Sequence, residues 1–502
     1  MNVVVLLAAI TAVVVTGPRW LRVAQREHYL SGSATRFAYR WWLRTTPLNV
    51  VLLVVASAAF VTVWFWTPAG FGCAAVEIVG PLGLSPRGRT SRLVWTRRLR
   101  TTTATAVAID AAAIAVGSAL GAGAATAACV ATLQPLVVDI ALAICSPFER
   151  LSMNRFVRRA TTRLQFVAPT TIALTGSYGK TSTKVYARHL IAGSKATVAT
   201  PASFNNTGGL ARTINDHLAD GTEVFIAEMG TYGPGEIASM CAWIKPAVGA
   251  IVNIGPVHLE RMKSLDAIVA AKAEITRDVE TVVLNVDAYG LAHLADDAVL
   301  RGRSVIRASA RDRSADVAVV DGVAFLHGSE LGVVPARAAP ENVAVALALA
   351  IAVGVPPDQL RVRLGSLPHP EHRREVLTAA SGVTVIDNTF STNPASVQPS
   401  LATLAAHRQP GSRAVLVTPG MVELGVQQVH ENTVLANAAS AVATDVIVVG
   451  RTNRRALDRG LAGPPPNVLH MRTRDDAVQW VRTNLRAGDV VLYENDLPDH
   501  YP

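Results

Sequence analysis

The hydrophobic pattern changes character near residue 150. Before that point apolar residues run on almost without interruption; beyond it, short β-branched runs alternate with stretches of helical period. Residues 3–16 are apolar throughout but short of the ~20 residues a membrane span needs. No basic stretch precedes them and no small-residue cleavage site is evident, so an anchor fits better than a signal peptide. Residues 48–66 make a full-length candidate span ending in Trp64 and Trp66, aromatics of the kind found at a membrane interface. Residues 103–122 and 125–145 make two more, rich in the Ala and Gly that allow close helix packing. Residues 70–84, interrupted by Glu77, Gly80 and Pro81, stay open between a crossing and a dip.

Charge divides the chain at the same place. Residues 1–165 hold 17 arginines, no lysine and 5 acidic residues, a net +12, whereas all 502 residues sum to +10; the remainder is therefore slightly acidic. A nucleic-acid binder would carry basic stripes on its folded domain. Arginines lying between apolar stretches fit cytoplasmic loops instead, and nucleic acid is set aside as a partner. One group holds Arg19, Arg22, Arg26, Arg36, Arg40 and Arg44, the other Arg87, Arg89, Arg92, Arg97, Arg98 and Arg100; both are expected in cytoplasmic loops. Asp110 and Asp139 fall inside candidate spans, where each costs ~3 kcal/mol, and either a function or pairing with a neighbouring helix accounts for them. Cys73, Cys129, Cys145 and Cys241 lack metal-ligand spacing and an obvious disulfide partner, so they read as small buried hydrophobes.

Residues 171–174, 223–227, 248–252 and 281–284 read as strands separated by amphipathic helices, the pattern of a parallel α/β sheet. A second set, 383–386, 414–417, 445–449 and 489–493, predicts a separate Rossmann-like domain after a break near residues 367–370. The expected layout is a helical transmembrane region over 1–150, a basic linker over 151–168, a central P-loop domain over 169–367 and a C-terminal domain over 368–502.

The strongest local signal is "TIALTGSYGKTSTK" at residues 171–184. Gly176, Gly179, Lys180 and Thr181 sit where a strand turns into a helix, a place where backbone N–H groups and the helix dipole favour an anion. Glycine lets the backbone approach a phosphate, Lys180 neutralises its charge, and the Thr181 hydroxyl can ligate Mg²⁺. The pattern is G-x-x-G-K-T, shorter than the full Walker pattern because Leu174 stands where its first glycine belongs.

Further motifs follow in order: "SFNNTGG" (203–209), "IAEMGTYGPGEIA" (226–238), "VNIGPVHLE" (252–260), "AKAEI" (271–275), "ENVAVALALA" (341–350), "EHRREV" (371–376), "IDNTFSTNP" (386–394) and "GMVELG" (420–425). Over residues 171–463 the chain thereby resembles the Mur ligase family, and is most similar to members that add D-alanyl-D-alanine to a UDP-muramoyl tripeptide. The resemblance implies a P-loop central domain and a C-terminal Rossmann-like ligase domain. Their activity is ATP- and Mg²⁺-dependent amide formation through an acyl phosphate, in peptidoglycan or other envelope synthesis. The partners implied are a carboxylate and an amine such as an amino acid or dipeptide. With the helical region, the expected location is a bacterial inner membrane, with catalytic domains in the cytoplasm.

The resemblance also implies roles. Gly176, Ser177, Tyr178, Gly179, Lys180, Thr181 and Ser182 would surround the ATP phosphates, and Asn342 would contact adenine. Arg373 and Asp387 would reach the nucleotide from the C-terminal domain. Thr181 and Glu228 would hold one Mg²⁺ and His258 a second. Lys272 resembles the lysine that family members carbamylate, which turns an ammonium into an anionic oxygen ligand. Each has a plain alternative: a helix-terminal charge for Glu228, a packing histidine for His258, a solvated lysine for Lys272 and an N-cap for Asn342. Asp387 and Asn393 could equally be turn formers. Lys272 has Ile268, Val269, Ile275 and Thr276 as helical neighbours, so no local acid pairs with it.

The match also departs from the family. Asn388 stands where those relatives carry a second Asp, Val345 where a second adenine-side Asn is common, and the membrane region where a nucleotide-sugar-binding domain would be. The ending "VLYENDLPDHYP" lacks the relatives' Lys-Gly-Ser-Arg type of close. Two other functions stay open: a polyglutamate-synthase-like capsule ligase, and a membrane transport or signalling ATPase, which would have no need of Lys272.

Overall fold

A long apolar run satisfies its own backbone only as helix, and the first third of the chain is helical in the computed structural model. Residues 2–27, 29–84, 93–257, 259–369, 375–389, 392–463 and 466–495 are described. The chain divides into two compact units, one built from the first 152 residues and the other from residues 153–496.

The first unit holds α1 (Asn2–Arg26), α2 (Ser33–Arg44), α3 (Pro47–Thr62), α4 (Gly70–Val79), α5 (Arg97–Ala119), α6 (Gly123–Thr132) and the start of α7 (Gln134–Val167). Among the described residues α1 and α5 are each long and apolar enough to cross a membrane. The number rises to 4 if the bent pairs α2/α3 and α6/α7 each count as one span.

Three expectations change. Residues 125–145 are not one helix: the chain bends by 80° between α6 and α7. Pro135 has no N–H with which to continue the α6 hydrogen-bond ladder, and it suits the first turn of a new helix. The first arginine group lies on α1 and α2 rather than in a loop, and Arg19 and Arg22 are buried. Arg19 donates to the carbonyls of Glu77 and Gly80. In the second group Arg97, Arg98 and Arg100 open α5, while Arg87, Arg89 and Arg92 lie outside the described residues. Finally, α4 has 10 residues, too few to cross. Both carboxylates of the candidate spans, Asp110 and Asp139, have structural partners. Asp139 accepts from the N–H groups of Ala34 and Thr35 at 3.2 and 2.8 Å, capping α2, and Asp110 accepts from the Gln134 amide at 3.1–3.2 Å.

The second unit carries two sheets. The 9-stranded sheet comprises β1 (Thr170–Thr175), β2 (Thr197–Ala199), β3 (Val224–Glu228), β4 (Val248–Ile251), β5 (Thr281–Asn285), β6 (Ser304–Ser309), β7 (Val317–Val320), β8 (Val323–Leu326) and β9 (Ser329–Val333). Its order is β2-β3-β1-β4-β5-β6-β7-β8-β9, parallel through β7 and antiparallel beyond. Its helices are α8 (Lys180–Ile191), α9 (Thr207–His217), α10 (Glu236–Ile244), α11 (Leu259–Met262), α12 (Leu265–Ala273), α13 (Leu291–Leu300), α14 (Pro340–Ala352) and α15 (Pro357–Leu364). After β1 the chain winds to β2 and β3 on one side and then to β4 on the other. The loop after β1 therefore lies at the topological switch point, where α/β sheets bind ligands. Apolar all round, α14 is buried from Asn342 to Ala350, and each Val or Leu it buries contributes about 1.5–3 kcal/mol.

The 6-stranded sheet comprises β10 (Glu375–Thr378), β11 (Thr384–Asn388), β12 (Ala414–Thr418), β13 (Asp445–Val449), β14 (Asn467–Met471) and β15 (Val490–Glu494), in the order β10-β11-β15-β12-β13-β14. Only β10 is antiparallel. Its helices are α16 (Pro394–Ala406), α17 (Gln428–Ser440), α18 (Arg454–Gly460) and α19 (Arg474–Asn484). Asp445 opens β13, next to the edge strand β14. Burial alone would raise its pKa, but donors from Arg413, Thr444 and Asn467 outweigh burial and hold it below the usual carboxylate value.

Candidate functional site

The glycine turn between β1 and α8 is held by its surroundings. The Ser177 N–H donates to the Asn253 carbonyl at 2.8 Å and its hydroxyl to the Gly255 carbonyl at 3.0 Å. Gly179 has φ +75°, and a Cβ there would strike the Asn342 Oδ1 atom, so only glycine serves. Around Gly176, a Cβ would come within 3.1 Å of backbone atoms of Asn253 and Tyr178. The Tyr178 hydroxyl is buried without a hydrogen-bond partner, and burial, reinforced by Glu431, drives its pKa far up, so it stays protonated. Lys180 opens α8 and lays its ammonium across the loop, 2.7 Å from the Gly176 carbonyl.

Below this loop the Thr181 hydroxyl donates to Glu228 at 3.1 Å. Glu228 ends β3 and α10 begins only at Glu236, so it is not a helix-terminal charge. Its carboxylate, 1% exposed, also pairs with the Lys184 ammonium at 2.9 Å. The Asn205 amide lies 3.4 Å from its other oxygen. Removing one partner of such a buried pair typically costs about 3–5 kcal/mol.

Lys272, in the last turn of α12, is 5% exposed, so it is not a solvated lysine. Desolvation lowers its pKa well below the usual value, and the Lys180 charge lowers it further. Both effects favour the neutral amine, the form able to attack CO₂. Glu274, two residues on and also buried, accepts from the N–H groups of Gly235 and Ala238 at 2.6 and 3.0 Å, tying the segment that carries Lys272 to the start of α10.

A cleft of 110 Å³ gathers Tyr178, Gly179 and Ser182 with Asn342 from α14 and Asn388 and Asn393 from the second sheet's domain. Asn342 is not an N-cap, since that position is Ala339; its carboxamide lies against the phosphate-loop glycine instead. Asn393 does cap a helix, α16, through the N–H groups of Ala395 and Ser396. Asp387 accepts from the Thr389 N–H and hydroxyl at 3.0 and 2.7 Å and is not among the residues lining the cleft. His258 and Arg373 lie outside the described residues.

Sequence reasoning passed over two residues. Lys184 falls one turn after Lys180 on the same helix face, and with Thr181, Ala187 and Arg188 as its other neighbours it needed a remote acid. Glu494 is fully buried and accepts from the Asn388 amide at 3.0–3.1 Å, which accounts for an amide at 388: an aspartate there would face a buried carboxylate.

Oxygen donors from a hydroxyl and a carboxylate suit a hard cation that takes its remaining ligands from phosphate and water. Among the described residues no three His, Cys, Asp or Glu side chains come together. The glycine cradle and Lys180 suit a nucleotide's phosphates.

Residues 174–349 match the Mur ligase middle domain and residues 372–493 the glutamate ligase domain of Mur ligases. UDP-N-acetylmuramoyl-tripeptide–D-alanyl-D-alanine ligase from Mycobacterium leprae is 32% identical over 367 residues, which cover 64% of this chain and 70% of that one. The ligase of the same name from Escherichia coli is 28% identical over 301 residues, covering 57% and 66%. Among solved structures, MurF of Acinetobacter baumannii superposes with a TM-score of 0.57 at 21% identity, over 68% of this chain and 77% of that one. MurF of Thermotoga maritima with ADP gives 0.55 at 23%, over 69% and 80%; both show the shared fold. With two ordered family domains around this cleft, the chain belongs to the Mur ligase family, whose members are ATP-dependent amide-bond ligases.

Proposed function

We propose that this chain is a membrane-anchored, ATP- and Mg²⁺-dependent ligase that joins a carboxylate to an amine in the synthesis of peptidoglycan or another envelope material. The observation that carries the reading is the buried Lys272, within reach of the Lys180 charge. An ATP-driven transporter has no use for such a lysine.

In this reading residues 169–367 bind the nucleotide and residues 368–502 complete the site. ATP supplies the phosphoryl group that converts the acid to an acyl phosphate, with ADP leaving; the amine then attacks the carbonyl and phosphate departs. Lys180 balances phosphate charge from the loop. Thr181 and Glu228 would hold Mg²⁺, which would neutralise phosphate charge, and His258 would hold a second ion. The neutral Lys272 amine adds to CO₂, loses a proton and becomes an anionic oxygen ligand. Asn342 and Ser182 line the nucleotide cleft, and in this reading Arg373 and Asp387 would reach the nucleotide from the C-terminal domain.

Two measurements test this. ADP release by the purified protein should require both an acid and an amine, with D-alanyl-D-alanine and glutamate the first amines to try; release without either would indicate an ATPase. After alkaline carbonate extraction of cells the protein should remain with the membrane pellet, because α1 and α5 are long and apolar enough to span. Full release into the supernatant would remove the anchor.

A further inference from the structure

The pair between Lys184 and Glu228 is built more elaborately than a phosphate loop requires. Both side chains are nearly inaccessible, at 4% and 1% exposure. The Lys184 ammonium lies 2.9 Å from Glu228 Oε2 and donates to the Ala202 carbonyl at 2.5 Å. Ala202 has φ +43°, an uncommon backbone for alanine, in the loop that follows β2. Thr181 also lies closest to Oε2, at 3.1 Å, whereas Oε1 has only longer contacts of 3.4 Å, from Thr181 and Asn205. One oxygen of Glu228 is thus committed to protein donors while the other is held loosely.

We propose that Lys184 is a positioning residue of the cation site, a resident counter-ion that keeps Glu228 charge-balanced and presents Oε1 before nucleotide and metal arrive. The inference rests on the reading of Glu228 as a metal ligand. A buried carboxylate left without its cation is strongly unfavourable. With Lys184 in place, the site is formed in advance, and an incoming divalent ion is bound against a neighbouring positive charge, which weakens its hold. Removing Lys184 should therefore make the protein less stable without metal and more avid for it.

The experiment uses the full-length protein with Lys184→Met, which keeps the apolar stem. Thermal unfolding is followed in EDTA and in Mg²⁺, and Mn²⁺ binding by electron paramagnetic resonance with a non-hydrolysable ATP analogue. Lys184→Met is expected to melt several degrees lower in EDTA, to regain most of that loss in Mg²⁺, and to bind Mn²⁺ about tenfold tighter, a change of about 1.4 kcal/mol. The double change Lys184→Met with Glu228→Gln should recover stability in EDTA, since an amide needs no counter-ion. A purely structural lysine, tied only to the Ala202 carbonyl, predicts a loss that neither Mg²⁺ nor the second change repairs, with Mn²⁺ affinity unaltered; that outcome overturns the proposal. If Lys184→Met does not fold, the double variant decides: folded supports the proposal, unfolded overturns it. Unaltered Mn²⁺ binding in Glu228→Gln alone would overturn the metal reading beneath the inference. Binding weakened there but unchanged in Lys184→Met would overturn the Lys184 assignment alone.

Discussion

Lys180→Ala is expected to lower turnover about a hundredfold to a thousandfold, the usual cost of deleting one well-placed charge-stabilising donor, while the protein stays folded. In the structure its ammonium donates to the Gly176 carbonyl at 2.7 Å, and such a bond contributes about 1 kcal/mol to stability. The loss should therefore fall on nucleotide binding and turnover, with the melting temperature nearly unchanged. Lys180→Arg should fail as well. Gly179 is pressed between Asn342 and Val252, and a planar fork cannot replace a point charge in so close a cradle. Titration calorimetry with an ATP analogue, beside steady-state kinetics, checks both. Normal activity in the alanine variant would reduce the loop to an ordinary helix start.

Most of the fold around this loop was legible because parallel strands buried on both faces leave continuous β-branched runs. The eight strands read from such runs appear within a residue or so of their predicted ends, for example β1 at Thr170–Thr175 and β13 at Asp445–Val449. Of the strands that went unread, β2, β9, β10 and β14 lie at sheet edges and β6, β7 and β8 form the run that leads to one edge. β7 and β8 have 4 residues each, and β10 is exposed along most of its length, so neither length nor alternation marks them. The Asp321–Gly322 turn between β7 and β8, both residues at positive φ, does carry a hairpin signal. In the apolar first third, hydropathy reports composition and not where a helix stops. The break after α6 is written instead in Gln134 and Pro135.

The site divides in the same way. The glycine turn, Lys180 and Thr181 are consecutive, so their chemistry is local and could be read directly. Glu228 could be located, but its partner Lys184 lies on another element, and only the parallel pairing of β1 with β3 brings them together. The partnership of Asn388 with Glu494 likewise depends on β11 lying beside β15, which places those two residues in register.

The central claim, a Mur-type ligation that uses a carbamylated lysine, is tested most directly at Lys272. Its amine is buried, and desolvation together with the Lys180 charge favours the neutral form that can take up CO₂. Losing the anionic ligand that results should cost about 4 kcal/mol of transition-state stabilisation, roughly a thousandfold in rate. Lys272→Ala and Lys272→Met are therefore both expected to be nearly inactive yet still to bind ATP; the second keeps the volume of the stem and separates chemistry from packing. The deciding measurement is the turnover of Lys272→Ala with and without added short-chain carboxylic acids. Partial recovery with the acid, alongside slowing of the unaltered enzyme when CO₂ is depleted, is the expected result. A fully active Lys272→Ala enzyme, indifferent to both, would contradict the account.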